Sequence, residues 1–426
     1  MTAARPAAGT GWHSSFQFGC SIAPGVKTVL FVGAGRHQRR AILRAKQLGL
    51  RVVAVDRNPE APGLEHADEG HVVDFVDVES VIEVARRHSI DGVLTVSADR
   101  AVPIVAAVAE ELGLPGIGTE TAHLMTHKIA MRRRLAEGGV PQPRFAAVRV
   151  RREAGPAGET VGFPAVLKPA DSGGQRGLFL LRSADDLDRH LHAALAESPS
   201  GEAIVEAFTD GLELNGLVIA RGGVPYPLLL SDRLRPRGEG FGVGWIHSYP
   251  SKLFGDALEE AERVATRAVR TLGLQDGIAF PQLIVSEGEA LVVEVAARIP
   301  GGQMADLAFH ALGVDLIEIA LKQALGEEVP DELVEPRHSR PTAIRFLTAR
   351  PGPLPVGKVT KVSGLDRVLR APGVVQADVF LQEGETIRPV RLDGDRRGYV
   401  IAVGQTNVQA LERAESAARL LYVETE

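Results

Sequence analysis

The stretch Leu291-Val-Val-Glu294-Val-Ala-Ala-Arg298-Ile-Pro-Gly-Gly302 places a carboxylate and a guanidinium four residues apart in an apolar segment. In an extended strand the side chains alternate between faces, so Glu294, Ala296 and Arg298 are predicted to share one face. Burying an acid and an arginine there is costly unless they serve a purpose, and a metal ion with an anionic substrate would be one. A structural Glu–Arg ion pair is the alternative, and this stretch alone does not decide between them.

A second chemical motif is a lysine followed by a glycine-rich turn. Phe163-Pro-Ala-Val-Leu-Lys168-Pro leads into Asp171-Ser-Gly-Gly-Gln-Arg-Gly177 and then Leu178-Phe-Leu-Leu181, which predicts a hairpin with a tip almost free of side chains. Backbone N–H groups at such a tip can surround phosphates, and Lys168 would supply positive charge. Only eight of the 48 basic residues are lysines, which gives this lysine extra weight. Phosphate binding is therefore favoured over a plain flexible hairpin.

Two further carboxylates bracket a turn. Glu206 lies within the strand-like Ala203-Ile-Val-Glu206-Ala-Phe208, and Glu213 directly precedes Leu214-Asn-Gly-Leu-Val-Ile-Ala220. This arrangement suits one carboxylate near a nucleobase and one near a ribose. Either residue alone would more often be a solvated residue at a strand edge.

The composition predicts a soluble globular protein of two to four domains, with the cytoplasm as its default location. The chain has 426 residues, 45% hydrophobic and 24% charged residues, and a net charge of −6, which argues against a nucleic acid or an anionic membrane as the main partner. No apolar run approaches the roughly 18–20 residues that span a bilayer. Residues 1–26 are predicted to be a disordered tail rather than a secretory signal. The single cysteine, Cys20, lies in that tail, so no disulfide framework is expected.

The elements that would position these groups begin with a βαβ unit. Lys27–Val32 and Arg51–Val55 are predicted strands, and the helix between them follows the turn Gly33-Ala-Gly35. Gln38 stands where a dinucleotide-binding fingerprint needs its third glycine, so NAD binding is disfavoured and the turn is assigned to packing or to a substrate.

The remaining expectations concern helices and loops. We expect a helix over residues 123–138 carrying Lys128, a polar loop over 149–160 and a helix over about 304–325. Residues 231–253 are rich in Gly, Arg and aromatic residues and are predicted to be irregular, and long loops of this kind are often lids or binding loops. The candidates from this loop for lining the acceptor pocket are Arg233, Arg235, Arg237, Trp245, His247 and Tyr249, and an ordinary polar surface loop is the alternative. The run Arg132-Arg-Arg134 is interpreted as a solvated helix face. Short strands and helices from about Pro341 indicate a small α+β module.

In order and spacing, these motifs resemble the ATP-grasp superfamily. The resemblance implies that Lys128 and Lys168 contact phosphates and that the loop Ser172, Gly173, Gly174 and Gly177 covers the triphosphate. Glu206 and Phe208 then fall at the hinge that reads adenine, and Glu213 falls at the ribose. Gln282 and Glu294 match the two metal-ligand positions. Arg298 matches the arginine that contacts the transferred phosphate, which makes Arg298, Lys168 and Glu294 the implied catalytic residues.

The resemblance also implies an α/β and α+β multidomain architecture. Residues 27–122 would form a pre-ATP-grasp domain with a doubly wound parallel sheet. Residues 123–335 would form the two-lobed ATP-grasp domain, with a central lobe at about 140–208 that carries the glycine loop. Residues 336–426 would form a small C-terminal α+β module similar to that of bacterial L-amino acid ligases.

The implied reaction joins a carboxylate to an amine. The carboxylate attacks the γ-phosphate of ATP, and the amine then displaces phosphate from the acyl phosphate. The implied partners are ATP and small carboxylate and amine substrates, amino acids among them, with no nucleic acid and no membrane. A homodimer is compatible with the resemblance.

The metal positions depart from the usual pattern. Gln282 stands where the family usually has Glu, and Ala296 where it usually has Asn. We therefore expect one well-held Mg²⁺ on Glu294 and Gln282, with Mn²⁺ as a substitute, and a second, weaker ion held by ATP.

Three other functions remain open at this stage. A carboxylase would use a similar ATP site with bicarbonate. A catalytically reduced nucleotide sensor is favoured only by Gln282 and Ala296. An NAD oxidoreductase has only the incomplete glycine fingerprint.

Overall fold

The computed structural model describes residues 25–235 and 242–426. Most of the predicted N-terminal tail, including Cys20, lies outside the described residues, as does Arg237 in the predicted binding loop. Within the described part of the chain, no helix combines the length and apolar character needed to cross a bilayer.

The N-terminal unit is a parallel sheet with helices on both faces, as predicted. The sheet has the order β3-β2-β1-β4. Helix α1 packs on one face, and α2 and α3 pack on the other. The elements are β1 (Thr28–Val32), α1 (Arg36–Gln47), β2 (Arg51–Asp56), β3 (Glu69–Val72), α2 (Val78–Arg87), β4 (Gly92–Leu94) and α3 (Val102–Leu112).

The glycine turn after β1 serves packing. Gln38, at the position of the missing third glycine, is buried and donates a hydrogen bond to the Val96 carbonyl. Its side chain fills the space that a Cβ at Gly33 would face. This contact is one of packing, and the expectation that NAD does not bind stays a prediction.

The predicted helix carrying Lys128 is confirmed as α5 (Lys128–Glu137), but its predicted start at residue 123 is wrong, because a separate helix, α4 (Thr119–Leu124), ends there and residues 125–127 divide the two. The break allows the His127 ring to accept a hydrogen bond from the Ala130 amide and to cap α5. Lys128 is consequently the first residue of α5. Its own amide, which has no partner within the helix, donates to the Ala170 carbonyl over 2.7 Å.

The central lobe is an antiparallel sheet with the order β5-β8-β6-β7. The predicted polar loop at 149–160 is wrong, because a helix forms there. Ala154, Ala157 and Val161 are buried on its inner face, and this packing outweighs two glycines and a proline. The elements are β5 (Phe145–Val148), α6 (Ala154–Val161), β6 (Ala165–Pro169), β7 (Phe179–Leu181), α7 (Ala184–Ala196) and β8 (Ala203–Ala207).

Two strand segments, residues 231–234 and 246–249, lie within the described part of the predicted irregular loop at 231–253. Ser231, Asp232, His247 and Ser248 are all buried. Asp232 is stabilised there because its Oδ1 accepts from the Ser251 hydroxyl and the Lys252 amide. The elements of this region are β9 (Leu212–Arg221), β10 (Val224–Leu234), β11 (Ile246–Tyr249), α8 (Asp256–Thr271), β12 (Gly277–Ser286) and β13 (Glu289–Ala297).

The predicted helix at 304–325 is also divided. Gly313, with φ of +76°, ends the first half in the left-handed region, and Asp315 caps the second half by accepting from two backbone amides. The elements are α9 (Met304–Leu312), α10 (Leu316–Ala324) and the short α11 (Asp331–Val334).

The C-terminal residues extend the main sheet and add a small sheet of their own. The eight-stranded antiparallel sheet has the order β13-β12-β9-β10-β11-β14-β18-β16, and a three-stranded sheet has the order β17-β15-β19. The main sheet therefore continues across the predicted domain boundary at residue 336; the boundaries themselves stay predictions. The elements are β14 (Thr342–Phe346), β15 (Gly357–Ser363), α12 (Leu365–Leu369), β16 (Val374–Val379), β17 (Thr386–Ile387), β18 (Gly398–Val403), α13 (Asn407–Ala418) and β19 (Tyr422–Thr425).

Candidate active site

Two lysines and the glycine loop meet above the edge of the main sheet. Lys168 lies in β6 just before the loop, and Lys128 begins α5. The Lys128 Nζ donates to the Ser172 carbonyl over 2.7 Å and lies 3.7 Å from Glu294 Oε1. Both lysines are buried. Three segments that are distant in sequence therefore place two ammonium groups and one carboxylate around a common space.

That space is a cavity of about 130 Å³ between the central lobe and the main sheet. All but one of the residues predicted to bind the nucleotide line it: Lys128, Lys168, Ser172, Gly173, Gly174, Glu206, Phe208 and Glu213, together with Gln282 and Glu294. Gly177 lies at the base of the loop instead. Its φ is +63° and a Cβ there would lie 2.7 Å from Pro169, so the backbone of the turn requires glycine.

Glu206 faces two cations rather than an open surface. Its Oε1 accepts from Arg132 over 2.8 Å, and its Oε2 accepts from Lys168 over 2.7 Å. Burial raises the pKa of the carboxyl, but Arg132 and Lys168 more than offset it and lower that pKa to about 2. The side chain is thus an ionised anchor for Lys168. The assignment of Arg132 to a solvated face is wrong, because only 1% of this residue is exposed.

Two arginines pair with the Glu213 carboxylate in a similar way. Arg233 lies in β10, and Arg235 directly follows that strand. Arg235 lies over the Phe208 ring at 5.8 Å. A ribose at this position would therefore share the Glu213 carboxylate with guanidinium groups.

Gln282 and Glu294 are opposite each other on paired strands. The Gln282 Nε2 donates to the buried Asn215 Oδ1 over 3.2 Å, which leaves Oε1 as the acceptor available beside the carboxylate. Among the described residues, no group of three or more His, Cys, Asp or Glu side chains is arranged to hold a metal. One carboxylate and one amide oxygen nevertheless suit Mg²⁺, which keeps several waters and takes further ligands from substrate phosphates.

Arg298 follows β13 and pairs with a carboxylate that the sequence did not indicate. Its Nε and Nη2 donate to Asp99 Oδ1 over 2.8 and 2.7 Å, and its Nη1 is buried without a partner in the structure. Asp99 comes from the N-terminal unit. Glu294 and Arg298 are therefore not a mutual ion pair, which was the structural alternative for this stretch.

A second cavity, of about 270 Å³, lies on the Arg298 side of the glycine loop. Gly173, Gly174, Gln175, Arg233, Gln282 and Glu294 line both cavities. The predicted alternation is confirmed here, since Glu294, Ala296 and Arg298 all face this second space.

The second cavity draws on all three parts of the chain. Arg36 and His37 come from the N-terminal unit, and Arg396 with Asp393 comes from the C-terminal residues. Arg36 lies over the Phe380 ring at 4.3 Å and Arg396 over the Phe346 ring at 4.1 Å. Of the residues proposed from the 231–253 loop for the acceptor pocket, Arg233 and His247 line this cavity. Arg36 could have been found from its place after the glycine turn, whereas nothing local marks Asp99 or Arg396.

Two family models match the chain. Residues 43–116 match an ATP-grasp N-terminal domain, and residues 345–426 match L-amino acid ligase C-terminal domain 2. A curated relative is the formate-dependent phosphoribosylglycinamide formyltransferase of Ignicoccus hospitalis. It is 28% identical and the alignment covers 95% of this chain and 98% of the relative.

Solved structures share the fold over nearly the whole chain. An L-amino acid ligase from Bacillus licheniformis has a TM-score of 0.80 at 20% identity, covering 94% of this chain and 99% of that protein. The biotin carboxylase domain of the Hydrogenobacter thermophilus 2-oxoglutarate carboxylase, solved with MgADP, ADP and bicarbonate, has a TM-score of 0.75 at 20% identity, covering 93% and 90%. These likenesses confirm the predicted multidomain architecture, and residues 43–116 of the chain are similar to the N-terminal domain of ATP-grasp proteins.

Proposed function

We propose that this protein is an ATP-dependent ligase that activates a small carboxylate as an acyl phosphate and transfers the acyl group to an amine. The observation that carries the proposal is the pair of cavities that meet at the glycine loop and Glu294. A nucleotide in the first cavity would present its terminal phosphate to a substrate in the second. Such a shared wall is what an in-line transfer between two bound molecules requires.

The chain's own residues have distinct roles in this scheme. Lys128 and Lys168 would bind the phosphates, and the loop at 172–174 would exclude the water that hydrolyses an acyl phosphate. Arg298 would stabilise the charge on the transferring group, with its guanidinium oriented by Asp99. Mg²⁺ held through Glu294 and Gln282 would neutralise phosphate charge when bound.

The second cavity indicates an anionic substrate. Four arginines line it, namely Arg36, Arg233, Arg298 and Arg396, against the three acids Asp99, Glu294 and Asp393. Guanidinium groups suit carboxylates and phosphates because of their planar donor geometry. An amino acid carries such a carboxylate, as the C-terminal family match suggests, and a phosphorylated amine of the kind named for the formyltransferase relatives carries a phosphate.

A pairwise screen tests the proposal. Formate, acetate, bicarbonate and amino acids would each be combined with amino acids or phosphorylated amines, and ATP-dependent phosphate release would be measured together with the mass of the conjugate. We expect release that requires both an acid and an amine. Release with bicarbonate alone would favour the carboxylase alternative, and no release with any pair would contradict the proposal.

A further inference from the structure

Arg132 is a buried arginine next to the first cavity, in which the nucleotide is proposed to bind. It does not itself line that cavity. It lies one turn after Lys128 on α5, and only 1% of it is exposed. Its two neighbours Arg133 and Arg134 face outward to a greater extent. A fully buried guanidinium must be matched by acceptors, and here the acceptors belong to two different walls of the site.

The first wall is β8. Arg132 Nε donates to Glu206 Oε1 over 2.8 Å, and the other oxygen of that carboxylate accepts from Lys168. The carboxylate is therefore held between two cations, each of which fixes one of its oxygens. Any movement of Arg132 would be transmitted through Glu206 to the Lys168 ammonium.

The second wall is β13, at an irregularity in its pairing with β12. Gln282 pairs with Glu294 and Leu283 pairs with Val292, so Val293 is the extra residue of a β-bulge. Arg132 Nη1 donates to the Val292 carbonyl and Nη2 to the Val293 carbonyl, each over 2.6 Å. The bulge directly precedes Glu294, and bulges commonly re-aim the side chain beside them.

We propose that Arg132 is a positioning residue that fixes Lys168 and Glu294 relative to each other, and so couples the phosphate-binding wall to the metal-binding wall. The inference rests on the proposed function only in requiring that ATP and Mg²⁺ bind in the first cavity. Arginine suits this role because its planar fork can serve a carboxylate and two carbonyls at once. Lysine keeps the charge but offers its donors from a single atom, so Arg132→Lys cannot reproduce the fork.

The test measures binding rather than turnover. Binding of a non-hydrolysable ATP analogue would be titrated by calorimetry over a range of Mg²⁺ concentrations, for the wild type, Arg132→Lys and the matched control Arg133→Lys, whose residue is exposed on the same helix. We expect Arg132→Lys to shift the Mg²⁺ midpoint upward by about 10- to 100-fold, as for other groups that orient a metal ligand. The control should match the wild type.

A purely structural arginine would give a different result. In that case Arg132→Lys would lower the melting temperature but leave the Mg²⁺ midpoint unchanged in the folded protein, and this result would overturn the proposal.

If Arg132→Lys does not fold, Gln142→Leu provides a milder variant. Gln142 accepts from Arg132 Nη1 over 3.3 Å and donates to the Arg132 carbonyl over 2.8 Å. A shift in the same direction is expected for this variant, and a wild-type midpoint would again overturn the proposal. A wild-type protein that binds no analogue would contradict the proposed function instead.

Discussion

The case of Arg298 shows that the sequence could identify a site residue but could not identify its ion-pair partner. The sequence placed Glu294 and Arg298 on one strand face, and that face is observed. The partner of Arg298 is Asp99, which is 199 positions away in the N-terminal parallel-sheet unit. A pairing of this kind depends on domain packing, which no local pattern encodes. The same is true of Glu206, whose type and position were noted but whose two cationic partners were not predicted.

Arg298→Ala is expected to lower the chemical step by about 100-fold, because it removes one preorganised group that stabilises developing charge. ATP affinity should change little, since Arg298 does not line the nucleotide cavity. Single-turnover phosphate release and equilibrium binding of an ATP analogue would separate the two effects, with Arg133→Ala as the exposed control. Lower ATP affinity with intact chemistry would contradict the assigned role.

Gln282→Glu is expected to lower the Mg²⁺ concentration needed for half-maximal activity. The new carboxylate would face Glu294 across the paired strands and add a charged ligand. The hydrogen bond from Gln282 to Asn215 would be lost, so melting curves should accompany the Mg²⁺ titration. An unchanged titration in a folded variant would argue that residue 282 does not reach the ion.

Helices and strands with a regular apolar pattern were predicted correctly. The elements that were missed are those whose formation depends on tertiary packing. The βαβ opening, the glycine hairpin and the β12–β13 pair were predicted from apolar patterns and turn residues. Helix α6 was missed because its Gly and Pro content hides three buried apolar side chains. Strands β10 and β11 were missed because buried polar residues such as Asp232 and His247 interrupt the alternation.

The glycine loop is predicted to tolerate substitution poorly at Gly173. A Cβ there would lie 2.6 Å from Asp99 Oδ2, so Gly173→Ala should push the loop away from Asp99 and disturb the Asp99–Arg298 pair. We expect a lower rate of the chemical step with a small change in melting temperature. Gly155→Ala in α6 is the matched control, because its Cβ would meet nothing within 4 Å.

The control should keep the wild-type rate, because Gly155 lines neither cavity. Equal rates for Gly173→Ala and the wild type would show that the loop and Asp99 are not coupled.

At the level of the whole molecule, Glu206 links stability to pH. Its folded pKa of about 2 is below the ordinary value of 4.5. The stabilisation by its ion pairs is therefore fully present above about pH 4.5 and is lost as the pH falls towards 2. Glu206→Gln should be less stable at pH 7, where it leaves Arg132 and Lys168 without their carboxylate, and should lose less stability than the wild type on acidification.

Chemical unfolding at a series of pH values would measure this difference, with the exposed Glu137→Gln as the control. Parallel pH profiles for Glu206→Gln and the wild type would contradict the proposed ionisation of Glu206.

The main sheet makes the C-terminal residues part of the central architecture rather than an appendage. Strand β11 pairs with β14, and β14 pairs with β18. Ile344, Phe346, Tyr399 and Ile401 belong to the same apolar core as β1 and α9. The sequence predicted a separate small module because its pattern changes near residue 341. A change of pattern does not show which edge of a sheet the new strands join.

Removal of residues 336–426 is therefore expected to yield an insoluble or partly folded protein. The truncation would expose the unpaired edge of β11 and the apolar surface that the four core side chains cover, and an exposed strand edge with apolar surface promotes aggregation. Solubility, near-ultraviolet circular dichroism and cooperative thermal unfolding would measure the outcome, with removal of residues 1–24 as a control that keeps every described strand pairing. A soluble truncated chain that unfolds cooperatively would show that the first five strands of the sheet are stable without the C-terminal ones. In that case the C-terminal residues would be needed to complete the second cavity rather than to fold the sheet, because Arg396 and Asp393 line that cavity.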